Sequence, residues 1–390
     1  MSAVLVALSS LAYACGAGSL SSFGADSSEP SAGAGADAGF GGAAPTGAND
    51  RGLTPVDNAV ILVHAAKSQS FRLCFEKETD RRPQPDSQVM PEANVVGVEV
   101  GSAVRLAPLR GSPGQVYLFE EPLIRAFYPA FGGAGAGPSC KNLLENTNLQ
   151  KLAQPLGIID TDLSQGVHLL VVRGCPSDSP LRKYSAAECG EAWAADAGNL
   201  SVKEITLAGA MRPSDGILPA QVVNLSQPLE SARGQRDMVV TFGDLVAPGA
   251  QHASVVTNPV LFGEAQPNKP AQLTYTSSDT AIYESVGFRV TLRSAGADAG
   301  AGTKVLDESL ARIQKQSSPR DLPPSYYGAA SNYALLLLGD PDAKLADGGP
   351  DDDERRTLHF LAVPVIEPKS DGGAEGGTPD ALDGGAATTP

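Results

Sequence analysis

Aromatic residues are scarce in this 390-residue chain: nine Tyr, eleven Phe and a single Trp, Trp193. No stacking platform of the carbohydrate-binding kind emerges from that supply. Histidine is scarcer still, at four: His64, His168, His252 and His359. No second His and no paired carboxylates stand around His64 in sequence, no Ser/His/Asp set can be nominated, and no G-x-S-x-G elbow occurs. Gly132–Gly137 leads into Pro138-Ser-Cys-Lys141 and resembles a phosphate loop only superficially. Pro138 stands where that loop needs Lys and removes a backbone donor. No CxxC occurs, and a run of about 20 apolar residues, the length needed to span a bilayer as a helix, is missing. Before Arg51 there is no Lys or Arg at all.

What is present starts with an address. Met1–Ala14 is short, apolar and ends Ala12-Tyr13-Ala14, a small-residue cleavage pattern. Cys15 and Gly16 follow, then about 35 residues rich in Gly, Ala, Ser and Asp. Apolar stretch, cleavage site, Cys and flexible spacer together resemble a bacterial lipoprotein export signal. That resemblance implies acyl chains on Cys15, a membrane as partner, and residence at the outer membrane or cell surface. The alternative is a periplasmic or secreted soluble protein cleaved before Cys15. Leu11 sits one residue early for the lipoprotein pattern, and the basic n-region is missing, which a start codon further upstream would explain.

The formal charge is −15, but it is unevenly spread. Residues 1–50 carry four acids and no base, residues 340–390 twelve acids against four bases, and residues 51–339 are left near −3. Acidity concentrated at the ends favours solubility and argues against nucleic acid as a partner. Asp351-Asp-Asp-Glu354, with Asp340, Asp342 and Asp347 upstream, offers carboxylates to Ca²⁺, but Lys344 and Leu345 break EF-hand spacing. A solvated acidic loop is the expectation. With Cys15 set aside, Cys74, Cys140, Cys175 and Cys189 remain, an even count that suggests two disulfides with three connectivities open. The short Cys175–Cys189 loop favours that pair and leaves Cys74 with Cys140. A zinc site fits the spacing poorly.

The body is written twice, at an offset of 160 to 169 residues. Ala59-Val-Ile-Leu-Val-His64 matches Ala220-Gln-Val-Val-Asn-Leu225. Val116-Tyr-Leu-Phe119 with Leu123–Phe127 matches Val286–Leu292. Gly/Ala inserts follow at 132–137 and 295–302. Short helical patterns come next, Leu143, Leu144 and Leu152 against Val305, Leu306, Leu310 and Ile313. The closing strands are Val167–Val172 and Tyr333–Leu338, ending at Gly174 and Gly339. Short apolar or alternating runs bounded by Gly, Pro, Asn and Asp read as strands. The expectation is a mainly β chain with two tandem sandwich domains, each with one short helix. Residues 1–14 form the signal peptide, 15–56 a lipid-anchored flexible linker, 57–200 and 201–368 the two domains, and 369–390 a disordered acidic tail. A last strand, Leu358–Val365, would sit at an edge because of Pro364.

Ile61-Leu-Val-His-Ala65, followed by Phe71-Arg-Leu-Cys-Phe75, resembles a family of uncharacterised bacterial surface domains that open with Val-His-Ala-Ser-Pro and often occur in tandem in secreted lipoproteins. Val104-Arg-Leu106 and Ala334–Asp340 look like later strands of the same pattern. Ala66 and Lys67 replace the Ser and Pro, and the second copy has no His. The resemblance implies an immunoglobulin-like or transthyretin-like sandwich at the cell surface and no known reaction.

The expected function is therefore a non-enzymatic cell-envelope lipoprotein with a binding, adhesion or structural role and no cofactor. An envelope protein or a polysaccharide is the class of partner such a body would meet. Two alternatives stand beside it: an extracellular hydrolase whose site assembles from scattered residues, and a solute-binding component. Clustering of His64, His168 and acids in one pocket would mark the enzyme; an aromatic-lined cleft at the domain junction would mark solute capture.

Overall fold

The computed structural model describes residues 58–75, 89–91, 97–106, 109, 111–128, 138–179, 182–207, 217–231, 236–246, 254–257, 265–274, 282–294, 302–317, 332–343 and 356–365. Cys15, the spacer, the Gly/Ala inserts at 132–137 and 295–301, His252, the 351–354 acidic run and the C-terminal tail lie outside the described residues. All those described belong to one compact unit, Ala44–Pro390.

The chain is mainly β. Its first half holds β1 (Ala59–Ala66), β2 (Phe71–Phe75), β3 (Ala103–Arg105), β4 (Gly114–Glu120), β5 (Gln154–Ile159), β6 (Val167–Gly174) and β7 (Ser201–Thr206). Helices α1 (Glu121–Phe127) and α2 (Cys140–Glu145), and a 3-10 turn at Gln150–Leu152, separate β4 from β5; α3 (Ala186–Cys189) precedes β7. The second half holds β8 (Ile217–Asn224), α4 (Gln227–Ser231), β9 (Arg236–Asp244), β10 (Ser254–Thr257), β11 (Ala265–Thr274) and α5 (Ile282–Ser285). It ends with β12 (Val286–Ser294), β13 (Thr303–Ser309), α6 (Leu310–Ser317), β14 (Asn332–Leu338) and β15 (His359–Val365).

Strand order carries the duplication further than the letters do. The first half forms sheets β3-β1-β6-β7 and β2-β4-β5; the second forms β11-β8-β14-β15 and β10-β9-β12-β13. With β10 removed, the two arrangements superpose strand for strand. In each half the central pair is parallel, β1 with β6 and β8 with β14, and the other pairings are antiparallel.

The parallel pairs explain the long apolar runs, because strands covered on both faces are apolar at most positions. From β1 and β6, Val60, Leu62, Leu170 and Val172 pack with Phe71, Leu73, Val116 and Leu118 of their own half. The alternate residues Ile61, Val63, Leu169 and Val171 face the other way, onto Val223, Ala334, Leu336, Leu338, Leu361 and Val363 of the second half. Beyond that shared layer, Ala220, Val222, Leu335 and Leu337 pack with Val240, Phe242, Phe288 and Phe360. On the far side of β2 and β4, Cys74, Phe119, Ile124 and Leu143 form a fourth cluster under α1 and α2. Cys74 is bonded there to Cys140, and Cys175 to Cys189.

Three local expectations need correction. Leu123–Phe127 is helix, not strand. Pro122 cannot donate to a ladder, whereas in a first helical turn its missing N–H is no loss. Val305 and Leu306 belong to β13, with Leu306 opposite Val290 of β12, and of the four only Leu310 and Ile313 lie on the buried face of α6. A short apolar run fits either period until a neighbouring strand claims it. Helical segments also outnumber the one expected per domain, because several short ones fill the connections. Pro364 does lie on β15, at the edge of its sheet.

Glu308, at the end of β13, is buried where α6 meets β15. Its carboxylate accepts from the Phe360 N–H at 2.7 Å and from Gln316 Nε2 at 3.2 Å. Burial outweighs these bonds and pushes its pKa up to about 7. The folded protein therefore keeps a proton that the unfolded chain releases above about pH 4.5, so this residue's contribution to stability falls as pH rises towards 7. Glu308→Gln is expected to be close to neutral at pH 5 and to gain roughly 1–3 kcal/mol relative to wild type at pH 8. Urea denaturation at the two pH values measures it, and an identical difference at both would refute the assignment.

Candidate functional site

Strands β1 and β14 end on the same side of the molecule, as does β8, and a cleft of about 210 Å³ opens there between the halves. His64–Lys67 closes β1, Leu225, Gln227 and Pro228 follow β8, and Gly339, Asp340 and Ala343 follow β14. Val100 and Gly101 enter from the turn before β3, Glu188 from α3, and Arg356 from just before β15. Two insertions at equivalent points of the duplicated topology thus frame the cleft, the β6–β7 connection and the β14–β15 connection. Gly174 and Gly339 start them, at φ +92° and +86°, where a Cβ would run into the carbonyl oxygens of Asn199 and Thr357. Only glycine suits both the conformation and the approach.

The first insertion is closed by Cys175–Cys189 and pinned by side chains. Asn199 accepts from the Cys175 N–H at 2.7 Å and donates to the Cys189 carbonyl at 3.0 Å. Arg182 pairs with Glu188 and stacks over the Tyr184 ring at 4.7 Å. Burial raises the pKa of both Glu120 and Tyr184 behind this wall. Lys67 Nζ donates to the Glu188 carbonyl at 2.6 Å, tying the end of β1 to the insertion. The second insertion starts with a turn in which Asp340 Oδ1 accepts from the Asp342 N–H at 2.9 Å.

His64 lies in the wall of the cleft but is fully buried. Its Nδ1 donates to the Val98 carbonyl at 3.0 Å, and its Nε2 lies 3.0 Å from Ser68 Oγ. Burial lowers its pKa to about 4, with the nearby Arg356 charge acting in the same direction. The imidazole is therefore neutral at physiological pH. A Ser–His pair of this kind could be found in the sequence only as His64 and Ser68 four residues apart. Ser68 has no exposed surface and is not among the cleft residues, so it cannot reach a substrate there.

His168 is not brought to this site. It faces Val60 in the β1–β6 register, so His64 lies four residues, about 13 Å, further along. There it bridges Glu204 Oε1 at 2.8 Å and the Gln165 carbonyl at 2.6 Å. His359 bonds the Thr357 carbonyl and, across the two halves, the Gly101 carbonyl at 3.0 Å. Among the described residues, no Phe, Tyr or Trp lines the cleft. Among the described residues, no group of three or more His, Cys, Asp or Glu could hold a metal ion. No motif or spacing in the sequence points to Lys67, Glu188 and Arg356 as neighbours. The chain matches no protein-family model and none of the curated proteins.

Proposed function

We propose that this chain is an exported, non-enzymatic envelope lipoprotein, anchored by acyl chains on Cys15, whose two tandem sandwich domains present a ligand cleft where they meet. The observation that carries the binding role is the cleft itself, built by equivalent connections of both halves on a rigid strand scaffold, where binding residues are most often found. A transthyretin-like sandwich suits each half better than an immunoglobulin-like one, because the immunoglobulin type is two antiparallel sheets and each half here centres on a parallel pair. Two disulfides favour an oxidising compartment. Among the described residues no helix is long and apolar enough to cross a membrane, which suits anchoring by lipid.

The hydrolase reading has one specific observation behind it, the His64–Ser68 pair, and the burial of Ser68 weighs against it. Anchoring is tested by the intact mass of the membrane-extracted protein. A mature N-terminus at Cys15 carrying the mass of acyl chains is expected; an unmodified Cys15, or retention of Met1, would overturn the anchor.

A further inference from the structure

The cleft has a charge pattern that goes beyond a general binding role. Besides His64, four ionisable groups line it: Lys67, Arg356, Glu188 and Asp340. Glu188 is already neutralised by Arg182, and Asp340 is engaged in capping its own turn. His64 is uncharged above about pH 4. The cations are less occupied. Lys67 spends one of its three ammonium donors on the Glu188 carbonyl. Among the described residues, the Arg356 guanidinium has no hydrogen-bond or ion-pair partner. Its charge nevertheless reaches both walls, lowering the pKa of His64 on one and opposing the rise at Tyr184 on the other. The cleft therefore holds two donors of positive charge facing an open volume, with carboxylate and carbonyl acceptors beside them.

Size narrows the ligand. Sites for drug-sized molecules run to about 300–1,000 Å³, so 210 Å³ suits a molecule of about one ring. Among the described residues, the lining has no Phe, Tyr or Trp face on which a base or a sugar could stack. Recognition must come from charge and hydrogen bonds, which a small acid bearing several hydroxyls would supply in both senses. Its carboxylate would meet Arg356 and Lys67, and its hydroxyls could donate to the Asp340 and Glu188 oxygens.

We propose that this cleft binds a small hydroxylated carboxylate, a uronic acid in size and chemistry, with Arg356 and Lys67 holding the carboxylate; the proposal rests on the binding reading above. The planar guanidinium takes a carboxylate through two parallel bonds, which makes Arg356 the principal contact. The stapled Cys175–Cys189 wall keeps Lys67 in place through Glu188, so little ordering is needed on binding.

Titration calorimetry on the full-length protein tests this with galacturonate and glucuronate against galactose and glucose. Saturable one-to-one binding of a uronate is expected, with its neutral hexose at least about tenfold weaker and the affinity falling as salt is raised. Arg356→Gln is expected to weaken uronate binding by at least about tenfold without change in thermal midpoint, and Lys67→Gln to weaken it by about three- to fivefold. Equal affinity for the neutral hexoses would overturn the carboxylate assignment and leave the binding role intact. Absence of saturable binding of either class by the folded protein would overturn the cleft as a site, and an unchanged uronate affinity in Arg356→Gln would remove that residue from it. None of these outcomes bears on the acyl anchor, which the mass measurement tests separately.

Discussion

Glu121→Ala is expected to lower the stability of this protein by about 3–5 kcal/mol, as removal of one member of a buried ion pair generally does. Arg72 lies on β2 with no exposed surface. Its Nη2 is 3.1 Å from Glu121 Oε1, and its Nη1 donates to the Pro91 carbonyl at 2.6 Å. Glu121 also accepts from Arg125 and, through Oε2, from the Gly97 N–H at 2.7 Å. Burial already lowers the pKa of Arg72, and the Glu121 charge is the largest influence opposing that. Removing the carboxylate would take the Glu121 charge from the buried guanidinium and its acceptor from the Gly97 N–H. Replacing both partners, as Arg72→Met with Glu121→Leu, is expected to recover much of the loss, since neither charge is then stranded. Guanidinium unfolding of the two single variants and the double closes the cycle. A loss below about 1 kcal/mol in Glu121→Ala would show that the pair is not a buried one in solution.

Leu336→Ala carries the second large effect, about 2–5 kcal/mol for a fully buried leucine whose site collapses only in part. Its position makes the result informative. Leu336 belongs to the shared layer, packed with Ile61, Val63, Leu169 and Val171 of the first half as well as Val223 and Val363 of the second. A cavity there removes contacts from both halves. Amide exchange is therefore expected to speed up in β1 and β6 along with β8 and β14, with one cooperative unfolding transition. Acceleration confined to the second half would mean that the halves are stable separately.

Much of the secondary structure was legible because it depends on local pattern. Ala59–His64, Val167–Val172 and Tyr333–Leu338 read as strands from their apolar runs, and Pro364 marked an edge. The misread pieces were short ones, Leu123–Phe127 and Val305–Leu306, in which the decision rested on a single proline or on a neighbouring strand. Of the cleft, His64 was visible as a strand-end histidine. Lys67, Glu188 and Arg356 were not, since their juxtaposition requires closure across 121 to 289 residues and no spacing rule connects them.

By itself the sequence determined that the body is duplicated, strand-rich and written with mostly apolar central strands, because burial on both faces favours apolar residues there, with His64, His168, Gln221 and Asn224 as buried polar exceptions. Only the tertiary structure decided which alternate residues face a half's own second sheet and which face the other half. That choice follows from the parallel register and the pleat, which send Leu62 and Ile61 to opposite sides. The same packing carries the ends of β1, β8 and β14 to one side, and charges distant in the chain become one site.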